Sequence, residues 1–317
     1  MDLHVLEENS APLKKGAEVQ RERVQHAGFI SKKRPVQCAS CPLPRTILAV
    51  TVGSALAVAD ALMQGHTRNP LADPGLLSIS AGAALAVVIG FTWCGFTSVT
   101  ATGVMALIGA LIAAAIVFVA ANVVGARSDP LTLILAGVAL SAVFVSITTA
   151  IIYTSTINLD HMRMWTVGSA AGRDGSFVFS IAIALAIFTL LALLTAPPHL
   201  NSLALSEDIA RSLGTNILLA RMLGLLLIAL PAGLSTAAAG PIGFVAFAAP
   251  HVARIVAGGE VPPLVSSALT GAVLLLSADF AVRTLPPTEV PVGLVTSACG
   301  GVLLLILLAR RRQAALI

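Results

Sequence analysis

From Thr46 onward the chain alternates long apolar blocks with short polar or Gly/Pro-rich joints. The blocks lie at roughly 46–65, 75–92, 100–121, 131–153, 176–195, 217–239, 241–257, 262–283 and 290–309. A bilayer-spanning helix needs about 20 largely apolar residues, so the pattern predicts an all-α polytopic membrane protein with about nine transmembrane helices. The joints carry specific punctuation: Asn69-Pro70, Asp73-Pro74, Asp129-Pro130, Pro197-Pro198, Gly240-Pro241, Pro262-Pro263 and Pro286-Pro287. Small residues at four-residue spacing, such as Gly53, Ala57 and Ala61, predict close packing of the first span, because apolar side chains gain little over lipid.

Two polar stretches break the pattern. Residues 1–44 contain no apolar run long enough to cross a bilayer, and no signal-peptide core follows their basic residues. The second stretch, residues 197–221, separates two apolar blocks and reads as a short helix with its own signals. Ser206 has N-cap chemistry, Glu207 and Asp208 sit in the first turn where the helix dipole favours acids, and Gly214 is a C-terminal stop. Leu205, Ile209 and Leu213 share one face, while Glu207 and Arg211 form an i,i+4 pair on another. A helix of about two turns is marginal alone, so its apolar face calls for a partner surface or, on the alternative reading, for the membrane surface itself.

Composition sharpens the class. Of 317 residues, 57% are hydrophobic and 11% charged, against roughly 25% charged in an average soluble domain. The net charge of +4 is carried by scattered basic residues without interleaved aromatics, which does not point to nucleic acid. Cys94 and Cys299 lie in apolar blocks and Cys38-x-x-Cys41 has no second pair, so neither a disulfide framework nor a metal site is expected. If Arg310, Arg311 and Arg312 are cytosolic and the helices alternate, Arg68, Arg127, Arg211, Arg221 and Arg254 are cytosolic too. Arg163, Arg173 and Arg283 then lie outside, in keeping with the positive-inside rule. An odd helix count places the basic segment 1–44 outside, which conflicts with that rule.

An internal echo bears on the conflict. The run from Ile47 and the run from Leu223 share a small-residue-rich helix, a Gly/Pro break and a second apolar helix. Two inverted five-helix repeats, a common transporter plan, account for the count if the first repeat lacks its opening helix. Residues 1–44 occupy that place and read as disordered or aberrant, with 45–312 as the membrane domain.

Four runs carry a family resemblance: LPRTILAVTVGSALAVADALMQGHTRNPLADPGLLSISAGAALAVV from Leu43, LALSEDIARSLG from Leu203, AGPIGFVAFAAPHVARIVAG from Ala239, and SADFAVRTLPPTEVPVGLVTSACGG from Ser277. In collinear order over about 43–312 they resemble the permease subunit of bacterial ABC importers for iron-siderophores, haem and cobalamin. The resemblance implies a cytoplasmic-membrane permease, not itself an enzyme and without cofactor. Its implied partners are a second permease, identical or paralogous, a cytosolic ATPase dimer and an extracytoplasmic chelate-binding protein. It further implies that Ser206, Glu207, Asp208, Arg211, Leu213 and Gly214 meet the ATPase. Arg45 and Arg283 match arginines that dock the binding protein. Pro42 stands where a further docking arginine is often found.

Two acids fall inside predicted spans, where burial of charge costs about 2.5–3.5 kcal/mol on insertion scales. Asp279 matches a family position and is expected to satisfy backbone or hydroxyl groups near a helix end. Asp60 departs from a small residue, usually Gly, and either faces the transport path or is a misplaced charge. His251 stands at no metal-ligand spacing from another His, Cys, Asp or Glu, so metal binding is not expected there. Two other functional readings stay open: a truncated or defective permease without transport activity, and a proton-coupled carrier using the two acids. A membrane-embedded hydrolase would need a nucleophile and base or a metal set such as H-E-x-x-H, which the sequence lacks.

Overall fold

The switch from polar to apolar sequence coincides with the start of the first helix, α1 (Pro42–Thr67). Pro42 and Pro44 fall in its first turn, where proline's missing N–H removes no intrahelical bond. The computed structural model describes residues 42–123 except 68, 71 and 97, together with 130–169, 175–204, 217–257, 264–284 and 290–302. The reading of the N-terminal segment as disordered or aberrant therefore falls, up to Cys41, outside the described residues. After α1 a 3-10 turn (Pro74–Leu77) leads into α2 (Ile79–Trp93), α3 (Val99–Val123) and α4 (Pro130–Ile152). A short α5 (Thr156–Thr166) precedes α6 (Gly175–Ala204), α7 (Ile217–Ala239), α8 (Val245–Ala257) and α9 (Leu264–Thr284). The last described helix, α10, covers Val292–Val302. Among the described residues six helices are long and apolar enough to cross a membrane and three shorter ones are apolar, so each of the nine predicted blocks contains one.

Three details differ from the sequence reading. Helix α6 runs through Pro197-Pro198 to Ala204 instead of stopping before them. Each proline deprives one carbonyl in the preceding turn of its donor, a loss that water can offset near a helix end. The second block splits into a 3-10 turn and a 15-residue helix, because Asp73 caps the turn through its side chain and Ser78 adopts a left-handed φ of 59°. Helix α5 has no counterpart among the predicted blocks. Among the described residues its buried side chains are Asn158, Met162 and Trp165, an i, i+4, i+7 stripe that is present in the sequence.

Helix α1 is the hub: it packs against α6, α7, α8 and α9. Its apolar window is 72% buried, whereas that of α4 is 11% buried, which separates a central helix from one with a lipid-type exterior. The packing against α9 is backbone to backbone. A side chain at Gly53 would collide with the carbonyl of Gly271, and one at Gly271 with that of Gly53. Gly82 and Gly109 make the same kind of contact between α2 and α3. In a membrane, close approach of this sort replaces the hydrophobic drive that water supplies elsewhere.

Candidate functional site

Polar chemistry within the described helices gathers at the two ends of α1. At its N-terminal end Arg45 lies in the first turn, and Arg283 lies in the last turn of α9. Asp279, one turn before Arg283, is fully buried and takes both: its Oδ1 accepts from Arg45 Nε at 2.6 Å and its Oδ2 accepts from Arg283 Nη2. Arg283 Nη2 also donates to Thr46 Oγ1 at 3.3 Å. The expectation that Asp279 would satisfy backbone or hydroxyl groups is thus corrected. A carboxylate this deep demands positive partners, and two arginines supply them. Arg45 and Arg283 are accordingly joined to each other across α1 and α9.

The same end carries a junction of three loops. Ser169 N–H donates to Ala239 O at 2.7 Å and Gly293 N–H donates to Gly168 O at 3.2 Å. Gly168 and Gly240 both have positive φ, 67° and 76°, and a Cβ on either would crowd backbone atoms of the other loops. Only glycine meets both demands. Helix α5 is pinned beside this junction by Asn158 Nδ2 donating to Thr92 Oγ1 at 2.9 Å and by stacking of His161 on Phe91 at 5.1 Å between ring centres.

Toward the opposite end of α1, Asp60 lies seven residues, about two turns, before the last helical residue. It is fully buried. Its Oδ2 accepts from Gln64 Nε2 at 2.5 Å, and Gln64 Oε1 accepts from Arg254 Nη2 of α8. An amide therefore stands between a carboxylate and a guanidinium, donating to one and accepting from the other. Asp60 Oδ1 has no hydrogen-bond partner among the described residues. The His66 ring lies against Gly224 of α7, where a Cβ would come within 3.0 Å of its Nδ1. Asp73 stands close enough to Asp60 for their charges to repel. Its own carboxyl lies above the usual carboxylate range because it is buried, an effect partly opposed by the Gly75 N–H, which donates to its Oδ1 at 2.6 Å.

Sequence reasoning picks out Asp60, Asp279, Arg45 and Arg283 but pairs none of them. It misses Gln64, whose i,i+4 spacing from Asp60 is the available signal. Ser206, Glu207, Asp208, Arg211, Leu213 and Gly214 lie outside the described residues. His251 stacks on Phe247, with 6.2 Å between ring centres. Among the described residues no three His, Cys, Asp or Glu side chains gather to hold a metal ion. A cavity of about 300 Å³ between α8, α9 and α10 is lined mainly by apolar side chains such as Phe244, Leu274 and Val295. Its hydroxyls are engaged with backbone, Ser277 with Val273 O and Thr296 with Gly293 O, so it offers a polar cargo little to bind.

A profile described as the FecCD transport family matches residues 21–310. The chain is 38% identical over 272 residues to the ferric enterobactin transport system permease protein FepD of Escherichia coli (strain K12), covering 86% of this chain and 81% of that one. It is 39% identical over 278 residues to the hemin transport system permease protein HmuU of Yersinia pestis, covering 86% and 82%. Among solved structures it resembles an inward-facing metal-chelate type ABC transporter, with a TM-score of 0.76 and 27% identity over 84% of this chain and 86% of that one.

Proposed function

Because the chain belongs to the FecCD transport family, a group of transport permeases, we propose that it forms the membrane path of an ATP-driven importer for an iron chelate such as a ferric siderophore or haem. The observation that carries this reading is the similarity, over most of both chains, to permeases named for ferric enterobactin and hemin, joined to a multi-pass helical fold of the same kind. The chain performs no covalent chemistry on its cargo. A separate cytosolic ATPase pair pushes on the segment 197–221, and the packed helices rock as rigid bodies to expose the path alternately to each side.

Sidedness follows from the basic residues. With Arg68, Arg221 and Arg254 toward the cytosol of the cytoplasmic membrane, the Asp60 and Gln64 end of α1 faces the ATPases and the Arg45 end faces outward. Two permeases, identical or paralogous, complete the path, and an extracytoplasmic binding protein delivers the chelate to the face that carries Arg45 and Arg283. Residues 45–312 act as one permease domain.

Reconstitution of the chain with its ATPase and binding protein in liposomes tests the reading. Uptake of iron-loaded siderophore that requires ATP and all components supports it. Uptake that persists without the ATPase and collapses with a protonophore would show a proton-coupled carrier instead.

A further inference from the structure

We infer that Asp279 is a positioning residue for the outward docking face, holding Arg45 and Arg283 side by side so that together they receive a single carboxylate of the binding protein. The inference rests on the docking reading above. Arg45 and Arg283 come from opposite ends of the described chain, and two guanidinium groups at one surface repel each other. Asp279 removes the repulsion from beneath. It uses Arg45 Nε and Arg283 Nη2, while among the described residues nothing else occupies Arg45 Nη1 and Nη2 or Arg283 Nε and Nη1. Asp279 has no exposed surface, yet the arginine side chains are 13% and 26% exposed.

The charge count agrees with this division of donors. Two guanidinium groups and one carboxylate leave one net positive charge, which one acidic side chain neutralises through charge-assisted bonds to the outer edges of the guanidinium groups. An unpaired arginine at a helix end would instead swing toward lipid phosphates. Thr46 Oγ1, accepting from Arg283 Nη2 at 3.3 Å, restrains the pair from the α1 side.

The test uses the assembled importer in nanodiscs, titrated with the purified binding protein of the same importer at several salt concentrations. Asp279→Asn should weaken docking about tenfold while steepening its salt dependence, because the net charge rises as the geometry is lost. A merely structural role would lower the amount of assembled importer and leave the docking affinity of what does assemble unweakened. Arg45→Gln and Arg283→Gln should each weaken docking and flatten the slope. If both dock normally, the docking reading itself fails. If both weaken docking but Asp279→Asn keeps the wild-type affinity and slope, only the role of Asp279 is overturned. Should Asp279→Asn not assemble, Asp279→Glu preserves every charge and shifts the arginines by one methylene. Weaker docking at unchanged slope supports the inference, and wild-type docking overturns it.

Discussion

The two ends of α1 solve the same problem in different ways. Each places a fully buried aspartate beside an arginine from a distant helix. At the Arg45 end the carboxylate touches two cations directly, so both of its oxygens are engaged. At the Asp60 end a neutral amide stands between acid and base, and one carboxylate oxygen has no partner among the described residues. The first arrangement fixes charge in place. The second depends on the orientation of one amide group, which makes it the more adjustable of the two and the more easily disturbed.

The largest effect is expected from breaking the direct arrangement. Asp279→Ala leaves two partly buried arginines without a counter-charge, and removing one partner of a buried ion pair typically costs about 3–5 kcal/mol. Thermal unfolding of the purified permease in detergent should show a clear loss of stability. A variant as stable as the wild type would mean that Arg45 and Arg283 find lipid or water as readily as they find Asp279. Next in size is a clash on the adjoining helix contact. Gly271→Ala drives a methyl group into Gly53 O and Ala57, and overpacking of this kind costs about 1–3 kcal/mol. Its effect should be measurable in the same unfolding experiment.

The amide bridge can be tested by moving its charge. Gln64→Glu sets a second carboxylate against Asp60 and takes away the donor that Asp60 uses, so it should destabilise by about 1–3 kcal/mol. Asp60→Asn combined with Gln64→Glu shifts the acid one position along the bridge. The carboxylate introduced at position 64 then pairs directly with Arg254, and the amide introduced at position 60 donates to that carboxylate. The double variant should recover most of the loss. Additive damage in the pair would show that the bridge does not work as a unit.

How much of this was legible in the sequence depended on distance along the chain. The nine apolar blocks were readable because a membrane helix is a local pattern of about 20 residues. Asp279 and Arg283 are one helical turn apart, so spacing alone is enough to pair them. The link from Arg45 to Asp279 spans 234 residues, and no local pattern encodes a contact of that range. Asp60 looks like an isolated charge because its immediate partner is an uncharged glutamine. Helix α5 escapes a search for apolar blocks because His161, Asp160 and Arg163 break its apolar content, although the buried stripe is present. Pro197-Pro198 reads as a stop because proline disfavours helix interiors, a propensity of about 3 kcal/mol that the surrounding helix overrides.

The smallest predicted effect concerns Asp73, whose charge repels that of Asp60. Its folded-state pKa is raised by burial, so the folded protein holds its proton more tightly than the unfolded chain does. The penalty for ionising it is therefore present in full above the folded pKa and is relieved as pH falls through that value. Asp73→Asn keeps an acceptor for the Gly75 N–H and removes the charge. It should stabilise the permease slightly at neutral pH and flatten stability against pH across the window between the unfolded and folded pKa values. In an Asp60→Asn background the gain from Asp73→Asn should shrink, because the repulsion it relieves has already been removed. An undiminished gain would show that the Asp73 carboxyl is held up by burial alone and that the two acids do not communicate.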